Sequence, residues 1–229
     1  MDPYSRALLE HLSGFVTGKR FSLFQRVVEE RTRYLTVLME DIYQSQNASA
    51  VLRTCDCMGI QDVHIVEQRN EYELNPDVAL GAHQWLTLHY YNGAKDNIRI
   101  AVKALKMKGY RVVATSPHSG GSTPGSIDLE KGKIALMFGT ELNGLTDQAL
   151  SQADEYIQIP MVGFTESYNI SVSAAVILYQ MRNRLQESSI NWQLSDDERE
   201  QLLLEWLKSS IKMSKQIEKQ FRNRYPPTF

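Results

Sequence analysis

The sequence predicts an α/β fold: a mostly parallel sheet with helices on both faces, with helical extensions at the N- and C-termini. Two observations carry this expectation. Short, almost wholly apolar runs such as Leu35-Thr-Val-Leu-Met39 and Ile134-Ala-Leu-Met-Phe138 lack the alternation of a half-exposed strand. Strands of that kind belong to sheets covered on both faces. Between them lie stretches with apolar residues at helical spacing, and strands that alternate with helices give a parallel sheet. At 229 residues the chain can bury one sizeable core and still carry short extensions.

The elements follow in order. Residues 1–34 read as a helical extension, in which Ser22 and Gln25 match a capping box and Phe24, Val27 and Val28 form an apolar stripe. The run 35–39 is the first strand. In the next stretch, QSQNASAVLRTCDCMGI, Ala48, Val51, Leu52 and Cys55 fall at i, i+3, i+4 and i+7, the spacing of an amphipathic helix. Asn47 stands where its N-cap belongs, Gly59 just past its end, and Arg53 roughly opposite the apolar stripe. Further strands are expected at 63–66, 85–89, 110–115, 134–138 and 156–159, and helices at 95–108, 146–153 and 169–186. The last helix is apolar almost all round from Val172 to Tyr179, which predicts burial or a subunit contact. Ser195-Asp-Asp-Glu198 is another capping box. Beyond it Lys208, Lys212, Lys215, Lys219 and Arg222 recur at steps of 4, 3, 4 and 3, as one basic stripe along a helix. The expected organisation is a helical extension over 1–34, a core over 35–188 and a basic helical extension over 189–229.

Composition narrows the function. Hydrophobic residues make up 42% and charged ones 23%, which excludes a disordered or collagen-like chain and a disulfide scaffold. No apolar run approaches the ~20 residues of a membrane span, and the first residues lack the basic-then-apolar order of a signal peptide. Cys55 and Cys57, two positions apart in a helix, point in different directions and read as buried thiols, so a reducing, cytoplasmic compartment is expected. His11, His64, His83, His89 and His118 show no ligand spacing, so no metal is expected. The net charge of −2 hides an asymmetry. Residues 1–34 carry six Lys/Arg against four acids and residues 208–229 six against one, which leaves −9 in between. An acidic middle with basic ends suggests that the ends meet a polyanion.

Nucleotide chemistry of the common kinds is excluded. The first strand–helix junction, DIYQSQNAS, has no glycine, and neither G-x-G-x-x-G nor G-x-x-x-x-G-K-[ST] is placed to cradle phosphates. Three other segments stand out: Asn47-x5-Arg53-Thr54, Phe138-Gly-Thr-Glu141-Leu-Asn-Gly144-Leu145, and Ile159 through Gly163 to Glu166-Ser167-Tyr168-Asn169-Ile-Ser171-Val-Ser173. Each follows the C-terminal end of an expected strand, the edge at which open α/β sheets bind ligands.

Together these segments resemble the three signature motifs of the SPOUT superfamily of RNA 2′-O-methyltransferases, in the same order and behind the same strands. The likeness covers roughly residues 35–186. The lead-in FQRVVEERTRYLTVLMEDIYQSQNASAVLRTCD, the GAHQWLTLHYY segment and the basic C-terminal helix are similar to the tRNA guanosine-18 2′-O-methyltransferase family. The resemblance implies a C-terminal deep trefoil knot and S-adenosylmethionine as methyl donor, leaving S-adenosylhomocysteine. It also implies a homodimer with the last core helix in its interface, and a D-loop guanosine of tRNA as substrate.

The same resemblance implies catalytic roles for Arg53, Asn47, Glu141, Ser167 and Asn169. Arg53 would hold the target ribose phosphate, Asn47 orient the arginine, and Glu141 orient the arginine or the cofactor pocket. Ser167 and Asn169 would face the arginine and the methyl group. Thr115, Gly139, Gly144, Ile159 and Tyr168 fall where the family contacts its cofactor, and Arg20, Arg26, Arg31, Lys208, Lys212, Lys215 and Lys219 are the expected RNA contacts. Where the family often reads Gln-Ser-Leu-Asn, this chain has Glu166-Ser167-Tyr168-Asn169. The extra negative charge would either favour the sulfonium or slightly repel the phosphate. The alternatives are methylation of another RNA, such as ribosomal RNA, and a non-catalytic RNA-binding protein on the same fold.

Overall fold

The computed structural model describes residues 1–68, 72, 74–116, 120–140 and 143–225. They form two compact units: Thr32–Trp192, and Met1–Arg31 together with the segment from Gln193 onward.

The larger unit is built on one sheet of β1 (Leu35–Glu40), β2 (Asp62–Val66), β3 (Thr87–Tyr91), β4 (Arg111–Thr115), β5 (Ile134–Phe138) and β6 (Glu155–Ile157). The spatial order is β3-β2-β1-β5-β4-β6, and every neighbouring pair is parallel. All six residues of β1 are buried. Leu35, Val37 and Met39 enter one apolar layer with Val51, Leu52 and Cys55 of α3 (Ser45–Cys57) and Ala174, Ile177 and Leu178 of α7 (Ile170–Gln186). Leu38 enters the opposite layer with Ile98, Val102 and Leu105 of α5 (Asn97–Met107) and Ala149 of α6 (Asp147–Leu150). The period-2 alternation of a strand is therefore intact in β1, although neither face meets water.

Several local expectations are corrected. The N-cap of α3 is Gln44, and Asn47 lies inside the first turn. Cys55 is buried as expected, but Cys57 is exposed, because a two-residue step along a helix carries it about 200° round the axis. The strand expected at 85–89 starts at Thr87. Ala82–Gln84 form a 3₁₀ turn after α4 (Pro76–Ala79), and the Trp85 N–H closes it on the Ala82 carbonyl at 3.0 Å. Beyond β4 the chain passes so close to β6 that a Cβ at Gly121 would stand 2.3 Å from the Tyr156 oxygen. The Ser122 N–H donates to Tyr156 O at 3.0 Å and the Gln158 N–H to Ser122 O at 2.9 Å.

The smaller unit contains α1 (Pro3–Ser13), α2 (Gly18–Glu29), α8 (Asp196–Ser210) and α9 (Ser214–Arg224). Leu8, Leu12, Phe24, Val28, Leu202, Trp206, Leu207 and Phe221 are among its buried apolar residues. The Ser195–Glu198 capping box is present as the sequence predicts. Ser22 caps nothing, because α2 begins at Gly18 and Thr17 accepts from the Arg20 N–H at 3.2 Å. The basic stripe does not run along one helix. Met213 is left-handed at φ 68°, and Lys212 lies in the connection between α8 and α9. Ser209 and Ser210 turn their hydroxyls back onto the Trp206 carbonyl at 3.0 and 2.6 Å, and Ser214 donates to Lys208 O at 2.6 Å. Such side-chain bonds compete with the helical ladder and end it.

Two expected RNA contacts are also corrected. Arg31 is only 2% exposed, with its guanidinium carbon 5.2 Å over the Trp206 ring, so it packs rather than facing solvent. Lys208 is half-buried and paired with Glu218 at 3.1 Å. Arg20, Arg26, Lys212, Lys215 and Lys219 are exposed.

The β2–β3 register stacks His64 on His89 with ring centres 4.5 Å apart. His64 Nδ1 lies 3.0 Å from Tyr91 Oη, and Asp62 faces both His89 Nε2 at 3.4 Å and Arg33 Nε at 2.9 Å. Burial, reinforced by the nearby charge of His89, pushes the His64 imidazole down to about 3. In the unfolded chain it protonates near 6.5. The unfolded state thus binds more protons between these values, so His64 favours folding fully above about pH 6.5 and loses that contribution as pH falls toward 3. Urea melts from pH 7 to 4 are expected to show stability falling across this window, with a flatter slope in His64→Gln; parallel slopes for parent and variant would refute the assignment.

Candidate functional site

Strands running in one direction bring their C-terminal ends to one edge, and the loops there carry the site. At the end of β5 the chain turns through Gly139. A Cβ on it would stand 2.1 Å from the Gly144 carbonyl carbon. Thr140 and Gly144 exchange backbone hydrogen bonds at 2.9 and 3.0 Å, and Gly144 takes φ 65°, where a side chain is strained. Glu40, buried at the end of β1, anchors the far side of this loop. Its carboxylate accepts from the Thr146 N–H at 2.9 Å and the Thr146 hydroxyl at 2.7 Å. Thr146 in turn caps α6, accepting from the Ala149 N–H at 3.1 Å.

These loops wall a cavity of about 400 Å³. Thr115, Gly139, Gly144, Ile159 and Tyr168, the expected cofactor contacts, all line it, together with Ser167. Thr115 is fixed there by donating its hydroxyl to Met137 O at 2.8 Å. Phe138, Thr140, Asn143, Leu145, Met161 and Ser173, which lie within the marked segments without an assigned role, also line the cavity, as do Ser116 and Gln158, which were not singled out from sequence. Ser116 directly follows Thr115 and Gln158 directly precedes Ile159, so contiguity with these residues was the available signal. Leu150 and Ile177 reach the wall from α6 and α7, and no local pattern marks them.

The first turns of α3 and α7 meet nearby in a polar chain. Asn47, 8% exposed, donates its Nδ2 to Gln44 Oε1 at 2.9 Å and accepts on Oδ1 from Asn169 Nδ2 at 3.1 Å. Asn169 is the N-cap of α7, its Oδ1 accepting from the Ser171 N–H at 2.8 Å and the Ser171 hydroxyl at 2.6 Å. Arg53 is exposed on α3, away from the buried stripe. Asn47 and Asn169 are thus in contact, Ser167 faces the cavity, and Arg53 stands on the adjoining helix surface. Glu141 lies outside the described residues. Among the described residues no group of three or more His, Cys, Asp or Glu is arranged to hold a metal, and no helix is long and apolar enough to cross a membrane.

The model of the SpoU rRNA Methylase family matches residues 34–179, the stretch that contains every element of this site. The chain belongs to that family. Its SpoU relatives include the tRNA (guanosine(18)-2'-O)-methyltransferase of Borreliella burgdorferi, 44% identical over 90% of this chain and 93% of the relative. Among solved structures, the Aquifex aeolicus TrmH/SpoU tRNA modifying enzyme superposes with a TM-score of 0.75 at 25% identity, over 85% of this chain and 98% of that one. The SpoU methyltransferase AviRb of Streptomyces viridochromogenes, solved in complex with the cofactor AdoMet, shares the fold with a TM-score of 0.54 at 19% identity, over 71% of this chain and 62% of that one.

S-adenosylmethionine is the cofactor of this SpoU chain, and the cavity suits it. The glycine loop brings bare backbone to the wall, Ser116, Asn143 and Gln158 add polar groups, and Phe138, Leu145, Ile157 and Ile159 offer apolar contact. A side chain at Gly139 would force the 139–146 loop to move, a rearrangement of the kind that costs about 1–3 kcal/mol. Gly139→Ala is therefore expected to weaken S-adenosylmethionine binding about tenfold or more by calorimetry; affinity within twofold of the parent would show that the close approach does not shape the pocket.

Proposed function

We propose that this chain transfers the methyl group of S-adenosylmethionine to the 2′-oxygen of guanosine 18 in the D-loop of tRNA, as a knotted homodimer in the cytoplasm. What carries the reading is the similarity to enzymes of that name along 90% of the chain, combined with a glycine-walled cavity at the C-terminal edge of the sheet. S-adenosylmethionine supplies an electrophilic methyl on a sulfonium, and Thr115, Gly139, Gly144, Ile159 and Tyr168 hold it.

A ribose hydroxyl is a weak nucleophile, so the chain must fix its oxygen in line and help shed its proton. Arg53 is assigned the first task. Its guanidinium keeps its charge, with a pKa above ~12, which suits gripping the phosphate beside the target ribose and makes it a poor base. Asn47 and Asn169 hold the starts of α3 and α7 together, and Ser167 faces the reacting groups. Glu141 is assigned to orient Arg53 or the pocket.

Three further parts of the proposal have their own support. For the dimer, Val172, Val176 and Tyr179 leave an apolar face of α7 exposed, Tyr179 at 58%, and Val162 and Phe164 stand in solvent close by in sequence. Patches of this kind mark contact surfaces. For the knot, α7 touches the β4–β5 connection: Arg184 Nη1 donates to Pro124 O at 2.9 Å, and a Cβ on Gly125 would meet Gln180 at 2.8 Å. For the grip on tRNA, Arg20, Arg26, Lys212, Lys215 and Lys219 are exposed cations suited to phosphate.

The test is methyl transfer from labelled S-adenosylmethionine to unmodified tRNA and, separately, ribosomal RNA, with the modified nucleotide mapped. Label on the ribose of guanosine 18 is expected; label in ribosomal RNA alone would overturn the substrate. Arg53→Ala should keep the thermal midpoint and lose roughly 10²-fold or more in kcat, the scale of one missing electrostatic contact to the transition state. A variant with near-normal kcat would refute the role given to Arg53. Binding of tRNA should weaken steeply between 50 and 200 mM salt, as phosphate contacts require, and a flat salt response would remove the basic helices from the interface.

A further inference from the structure

We infer that Glu166 sets the preference of the cavity for S-adenosylmethionine over S-adenosylhomocysteine. The inference deepens the function proposed above at its cofactor site and does not depend on which RNA is methylated. Donor and product differ by one methyl group and by the positive charge of the sulfonium; the rest of the two molecules is identical. Neutral groups that hold the shared adenosine and amino-acid parts act equally on both. Selection by charge needs a charged wall. Among the described residues that line the cavity, Glu166 has the only charged side chain, and no lysine, arginine or histidine accompanies it. Thr115, Ser116, Asn143 and Gln158 add neutral dipoles, and the Thr115 hydroxyl is already committed to Met137 O at 2.8 Å.

The surroundings strengthen the action of this charge within the cavity. Phe138, Leu145, Ile157, Ile170 and Ile177 supply buried apolar side chains to the wall. Such walls polarise weakly, and a cleft that carries one sign of charge against them concentrates the field in the space between. Glu166 itself is exposed, so water screens part of the attraction. The result is a preference of a few-fold. It serves turnover, because a product without the sulfonium charge is held less firmly than the donor that must replace it.

The experiment titrates the protein, with no RNA present, with S-adenosylmethionine and with S-adenosylhomocysteine by calorimetry. Parent, Glu166→Gln and Glu166→Asp are compared at about 50 and 500 mM salt, a range over which screening rises strongly. Glu166→Gln, which keeps the shape and removes the charge, is expected to weaken S-adenosylmethionine about three- to fivefold, the upper range for one exposed charge contact. Its affinity for S-adenosylhomocysteine should not change. Glu166→Asp should keep most of the preference. In the parent the ratio of the two affinities should shrink at the higher salt, and in Glu166→Gln it should stay constant. Equal weakening of both ligands would show that Glu166 shapes the cavity without selecting by charge, and would overturn the inference. Unchanged affinities for both would overturn it too, and tighter tRNA binding in that variant would assign the carboxylate to the RNA phosphate instead. If the parent binds both ligands yet methylates no tRNA, the proposed function fails, while the same ratio still decides the role of Glu166.

Discussion

A central strand with no wet face organises this protein. Because every residue of β1 is buried, each face of the sheet must be covered, and the chain meets that demand with α3 and α7 on one side and α5 and α6 on the other. Parallel neighbours need crossover connections rather than hairpins, and α3, α5 and α6 lie in three of them. With the strands aligned, all the connecting loops that leave β1, β4, β5 and β6 gather at one edge. The cavity is a product of that alignment, and the residues around it are close in space because the strands beneath them are in register.

At that edge, irregular backbone is held by a few long-range polar contacts. The buried Glu40 carboxylate fixes the glycine loop through Thr146, and Asn47 ties α3 to the start of α7. These groups are satisfied within the protein, and satisfied buried polar groups specify a single arrangement more sharply than apolar packing does. The neighbouring 161–169 segment is largely exposed. The site thus combines a fixed floor with an exposed surface of serine, tyrosine and glutamate.

What the sequence could disclose follows physical range. β1, α3, α5 and α7 were legible because their periodicity and burial are set by neighbours a few residues away. The capping box at Ser195 was legible for the same reason. The start of β3 was misplaced because a 3₁₀ turn is one backbone hydrogen bond on Ala82, with no periodic signature. The basic stripe broke at Met213 because serine hydroxyls captured carbonyls that periodicity assigned to the helix. Arg31 was misread because charge in a linear sequence does not reveal the Trp206 ring that covers it. Grouping Thr115, Gly144 and Ile159 into one pocket came from family resemblance. The contacts between Glu40 and Thr146, and between Asn47 and Asn169, join residues 106 and 122 apart, beyond any local pattern.

The smaller unit is assembled from both ends of the described chain, and this has a consequence in time. Helices α1 and α2 emerge from the ribosome first, but α8 and α9, with which they share a core, emerge only after the whole of Thr32–Trp192. At synthesis rates of about 5–20 residues per second, the interval is on the order of ten to thirty seconds. Throughout it, Leu8, Leu12, Phe24 and Val28 have no Trp206 or Phe221 to pack with, while the sheet and its cavity can already form. The nascent chain thus completes the unit that holds the cavity before the smaller unit, whose two parts are both present only after it.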